Sequence, residues 1–105
     1  MVCASDLMDQ LIVSNLMAEE EDIPFLGVYN ACASFASGVI SIANMIQSKG
    51  VKRGVYITSS HNLSAEKQFR FPIEYGAVKP KRSTFTATGA VGVSLNNTSG
   101  KIKII

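Results

Sequence analysis

The chain holds two cysteines and a single histidine, and the surroundings of one cysteine invite a chemical reading. Cys32 lies in Asn30-Ala31-Cys32-Ala33-Ser34, between a stretch that reads as a strand and one that reads as a helix. A thiol at a helix N-terminus faces unpaired backbone N–H groups and the positive end of the helix dipole, and both favour the thiolate. Its small neighbours let a substrate come close, and a strand–turn–helix junction suits a nucleophile. The competing reading is a buried structural cysteine. His61 closes Thr58-Ser59-Ser60-His61 at the end of the next expected strand. Ligands of α/β sheets collect at the carboxyl ends of strands, so parallel strands would bring Cys32 and His61 to one edge. A hydrogen-bonded structural histidine is the alternative.

A third group is Glu66-Lys67-Gln68-Phe69-Arg70-Phe71-Pro72. On a helical turn Lys67 and Arg70 share a face. Arginine offers a planar fork to a carboxylate and lysine a point charge. Phe69 and Phe71 either pack the loop or flank a planar ligand, and a surface Arg–Glu pair with aromatic anchors fits the same residues. Lys79-Pro80-Lys81-Arg82 is a short basic turn without an alternating aromatic platform, so it reads as a solvated loop and not as a nucleic-acid site. No phosphate-binding loop, dinucleotide glycine pattern or metal-ligand spacing occurs, so no cofactor and no metal are expected. Cys3 and Cys32 lack a CxxC spacing, and with one His they do not make a structural zinc site.

The elements that must position these groups follow from periodicity. Leu7, Leu11, Ile12 and Leu16 recur at helical spacing, which predicts a helix over 5–20 capped by Ser5, with Asp6 at its positive end. Pro24 to Tyr29 reads as a buried strand. Residues 32–49 read as a second helix, apolar around much of its circumference and otherwise small, hence packed on several sides and stopped by Gly50. Lys52 to Ser59 is a second strand. Residues 60–82 lack clean periodicity, and a loop of that length inside a compact domain is usually functional. Phe85 to Leu95 is a third strand, and Lys101 to Ile105 returns as a fourth after a turn. The predicted fold is α/β, in the order α-β-α-β-loop-β-β.

Composition bounds the rest. The 105 residues allow one domain, 1–105, and 47% apolar with 17% charged residues suits a buried core. The net charge of +2 hides an asymmetry: residues 1–48 carry −6, while 49–105 carry +8. A basic second half suits an anionic partner, although on charge alone a solvated face balanced by the acidic half is the preferred account. Asp6 and Asp9 interrupt the region where the apolar segment of a signal peptide would lie. No stretch reaches the roughly 18 apolar residues a membrane helix needs, so membrane attachment is expected to be peripheral, through a partner.

Taken together, the run from GVYNACASFASG to TFTATGAVGVSL is similar to the stage V sporulation protein AD family of spore-forming Firmicutes, within the thiolase-like superfamily. The most specific parts are SSHNLSAEKQFRFPIEYG and KPKRSTFTATGA. The resemblance implies part of a thiolase-like fold, a portion of the N-terminal βαβαβαββ half. It places Cys32 at the superfamily's nucleophile position. Acyl condensation in the superfamily also draws on a His, and a His or Asn, from a second half that the resemblance implies this sequence lacks. The family is understood instead as non-enzymatic: it binds dipicolinic acid (pyridine-2,6-dicarboxylate) and works with the membrane proteins of the stage V sporulation A operon to move it into and out of spores. A peripheral location on the forespore or spore inner membrane follows from that. Carried over by position, Cys32 and His61 line the old pocket, while Lys67 and Arg70 are candidates for the ligand's carboxylates chosen by charge.

The alternatives are acyl transfer through Cys32, or a structural assembly piece without a ligand. The resemblance also implies a chain that starts within the first half. In the family half-sheet, ordered 3-2-1-4-5, the strand at 24–29 would then lose its neighbour. An exposed edge of that kind invites self-association.

Overall fold

The structure, a computed structural model, describes residues 1–8, 11–61, 77, 78, 81, 87–98 and 100–103. Its elements are β1 (Val2–Asp6), α1 (Ile12–Glu21), β2 (Phe25–Gly27), a 3-10 turn (Ala31–Ala33), α2 (Ser34–Gln47), β3 (Arg53–Ser60) and β4 (Gly89–Asn96). The four strands form one sheet in the order β2-β1-β3-β4. β1 is parallel to both neighbours, with Val2 opposite Phe25 on one side and Val55 on the other. β4 closes the other side antiparallel to β3, from Arg53 opposite Asn96 to Ser60 opposite Gly89.

The α/β class agrees with the sequence reading, but the order begins one element earlier. Residues 2–6 are a strand, not the start of a helix. All five are buried, as a parallel strand between two neighbours must be, and such a strand shows no alternation of apolar and polar residues. Its small residues, VCASD, blended into the helical spacing that begins further on. Ser5 is therefore not a cap. The helix starts at Ile12, behind Leu11 in the left-handed region at φ 50° and without a side-chain cap. The same strand corrects the expected vacancy beside residues 24–29, because β1 pairs with β2 there. At the other end, residues 101–103 are not a strand, while Ile104 and Ile105 lie outside the described residues.

Side chains alternate across the sheet, which separates its two faces. Cys3, Ser5, Tyr56, Thr58 and Ser60 fall on one face, and Ala4, Asp6, Ile57 and Ser59 on the other. The first face carries α2: Cys3, Ile42, Ile46, Tyr56 and Leu95 form the buried cluster. The second carries α1, tied to β1 through Ser14 and Asp6. Two crossovers that step in opposite directions along the sheet, β1 to β2 and β2 to β3, leave their helices on opposite faces when both are right-handed.

α2 buries Ser34, Gly38, Ile42 and Ile46, a stripe at four-residue spacing. Small residues permit the approach. A Cβ on Gly38 would sit 2.0 Å from Tyr56 Cε2, and a Cβ on Gly54 would sit 2.5 Å from Ile42 Cγ2. Each large side chain fills the space its glycine partner leaves. Phe35 and Ile40, expected inside, are exposed instead. Gly50 is also not the left-handed stop of this helix: Lys49, at φ 61°, takes that conformation.

Candidate functional site

β1 and β3 run parallel, so their carboxyl ends meet at one edge, and the turn into α2 lies over it. A cavity of about 400 Å³ opens there. Asp6 and Leu7 from the end of β1, Thr58, Ser59 and Ser60 from the end of β3, and Ala31, Cys32, Ser34 and Phe35 from the turn into α2 form its wall, closed by Ala87 and Gly89–Val91 from the start of β4.

Cys32 is exposed and on this wall. The turn that presents it is strained: Ala31, a residue with a Cβ, has φ 44°, a conformation that costs about 1–3 kcal/mol and concentrates at functional sites. Asn30 holds the turn. Its backbone N–H donates to Ser34 Oγ at 2.8 Å, and its side-chain amide donates to Ser37 Oγ at 3.1 Å. No side chain caps the first turn of α2. Cys3 is the contrast. It is fully buried in β1, and burial pushes its thiol pKa up, so it stays protonated and inert as a structural cysteine does.

Asp6, expected at a helix start, is on the cavity wall instead. It is buried, and its Oδ1 accepts from Ser14 Oγ at 2.8 Å and from Ser59 Oγ at 2.7 Å. The Ser14 backbone N–H reaches Oδ2 at 3.4 Å. One carboxylate thus joins β1, β3 and α1 beside the cavity. On the opposite face Ser5 donates to Thr58 Oγ1 at 3.1 Å and also bonds the Tyr56 hydroxyl. A hydroxyl has one proton to give, so the chain runs from Tyr56 through Ser5 to Thr58. Phe35 meets Tyr56 edge to face, with centroids 5.5 Å apart and planes at 79°, the arrangement that ring quadrupoles prefer.

Of the expected site residues, Cys32 is on the wall. His61 follows Ser60 at the end of β3 and is exposed, but it is not part of the wall. Lys67 and Arg70 lie outside the described residues. Sequence reasoning passed over Asp6 and Phe35 as site residues, and within Thr58-Ser59-Ser60-His61 it gave the role to His61 and not to the hydroxyls that are on the wall. Those hydroxyls stood beside His61 in the sequence, and their position at a strand end was the available signal. Among the described residues, no group of three or more His, Cys, Asp or Glu is placed to hold a metal ion, and no helix is long and apolar enough to cross a membrane.

A family model described as stage V sporulation protein AD matches residues 1–105. The Stage V sporulation protein AD of Bacillus subtilis (strain 168) is 38% identical over 104 residues, which make up 99% of this chain and 31% of that protein. The chain thus spans about a third of the length of the curated relative it matches.

Proposed function

Because the chain belongs to the stage V sporulation protein AD family, we propose that it is a non-enzymatic binding module whose cavity takes dipicolinic acid during its passage into and out of spores. The observation that carries this reading is the cavity itself: about 400 Å³ at the carboxyl ends of two parallel strands, where a small planar ligand fits. Leu7, Phe35, Ala87, Ala90 and Val91 make much of the wall apolar, and the ring of Phe35 is a surface on which a pyridine ring can pack.

Charge gives the ligand an orientation. The carboxylate of Asp6 lies on the α1 face and repels an anion, so the ligand's carboxylates belong on the α2 side, beside Cys32. Lys67 and Arg70 are proposed as their counter-charges, and His61 as a neighbour of the ligand at the rim. The basic second half of the chain, +8 over residues 49–105, favours the approach of a dianion. Acyl transfer would require a general base and an oxyanion donor around Cys32, and among the described residues no imidazole stands on the cavity wall. The partners proposed are the membrane proteins of the stage V sporulation A operon, which would hold the chain peripherally at the inner membrane of the spore.

Two-dimensional amide NMR of the 105-residue chain, with and without dipicolinate, tests this. Shifts at Cys32, Phe35 and Thr58–Ser60, together with His61, Lys67 and Arg70, are expected. Arg70→Ala is expected to weaken binding about tenfold, the loss of roughly 1.4 kcal/mol. A dispersed spectrum that ignores dipicolinate would reject the assignment.

A further inference from the structure

The cavity wall bears five side chains with oxygen atoms: Asp6, Ser34, Thr58, Ser59 and Ser60. Four are engaged within the protein. Ser59 donates to Asp6, Ser34 accepts from the Asn30 N–H, and Thr58 accepts from Ser5. Ser60 is different, for its Oγ is buried and has no hydrogen-bond partner among the described residues. A hydroxyl withdrawn from water without a partner works against folding. When such a group belongs to a cavity wall, it is a donor available to what enters the cavity.

We propose that Ser60 is a ligand-binding residue whose hydroxyl donates to a carboxylate oxygen of the molecule filling the cavity. The proposal rests on the dipicolinate reading and adds to it the donor that fixes the ligand's orientation. Alternation along β3 puts Ser60 on the same face as Thr58 and Tyr56, the face that carries α2 and the turn with Cys32. Asp6 and Ser59 are on the other face, already bonded to each other. A carboxylate entering the cavity is repelled from the α1 face by Asp6 and finds an uncommitted donor, Ser60, on the α2 face. Serine has a single side-chain torsion, so aiming the hydroxyl at a ligand takes one rotamer step and no backbone movement.

The role makes two readouts move in opposite directions. Ser60→Ala removes an unpaired polar group from the free protein and a hydrogen bond from the complex. Dipicolinate affinity and melting temperature would be measured for the unsubstituted chain, Ser60→Ala and Ser60→Thr. Expected for Ser60→Ala are binding weakened about tenfold, as for a hydrogen bond to a charged group, and a melting temperature equal or higher. Ser60→Thr keeps the donor and is expected to bind within about threefold of the unsubstituted chain. Equal affinity of the unsubstituted chain and Ser60→Ala would remove Ser60 from the site while leaving the dipicolinate reading intact. A lower melting temperature in Ser60→Ala, or the same loss of binding in Ser60→Thr, would reassign Ser60 to packing. Absence of binding in the unsubstituted chain would overturn the dipicolinate reading itself, and this inference with it.

Discussion

Asp6 accepts hydrogen bonds from one serine on α1 and one on β3, and it is buried where those elements meet. Truncation to alanine strands both hydroxyls and the Ser14 N–H, so Asp6→Ala is expected to cost about 2–4 kcal/mol in urea unfolding. Asp6→Asn keeps one acceptor oxygen and should cost roughly half as much. A substitution that left the unfolding midpoint in place would show that the carboxylate does not clasp α1 to the sheet. The site was only partly readable at this scale. Cys32 was visible because a nucleophile-like position announces itself through small neighbours between a strand and a helix. Asp6 was hidden because aspartate is also what a helix start prefers, and its true partners are Ser14 on the following helix and Ser59 far along the chain. Ser60 stood in plain view at a strand end, but a missing hydrogen-bond partner is a property of the packed molecule alone.

The pairing of α2 with β3 rests on two glycines. Gly38 lies against the ring of Tyr56 and Gly54 against Ile42, so helix and strand approach more closely than side chains at both positions would allow. Gly38→Ala puts a methyl group 2.0 Å from Tyr56 Cε2. The ring must move, and with it go the hydroxyl bond to Ser5 and the edge contact to Phe35. A loss of about 3 kcal/mol is expected by chemical denaturation, despite alanine's better helix propensity. A neutral result would mean that the two elements stand further apart. Periodicity located α1, α2 and the cores of β2, β3 and β4, because each has a length and pattern of its own. It missed β1, since a strand buried on both faces carries no alternation and a helical pattern followed directly. It found Ile42 and Ile46 on the inner side of α2 but not the rest of that stripe: Phe35 and Ile40 are exposed, and the small Ser34 and Gly38 lie inside instead.

For the molecule as a whole, the described elements leave apolar surface uncovered. Ile12, Val13 and Leu16 on α1 are each more than half exposed, as are Ile40 and Val91. β2, three residues long, stands at the edge of the sheet among the described residues. Surfaces and edges of this kind associate, so the chain is expected to sediment as dimers or larger species with a concentration-dependent average mass. Sedimentation as a monomer throughout the micromolar range would contradict that. The fold class was legible because the strand and helix signals alternate. The sheet order was not, because it depends on a strand drawn into the middle from outside the pattern.

That central strand has a consequence for how the chain comes to be folded. β1 is made before both of its neighbours, and Val2 waits for Phe25 on one side and Val55 on the other. During synthesis one edge of its backbone N–H and C=O groups stays without its second partner strand until β3 (Arg53–Ser60) has emerged. Pairings so distant in sequence form slowly, so β1 keeps one open side until β3 is complete, an interval in which the nascent chain is open to a chaperone or a protease.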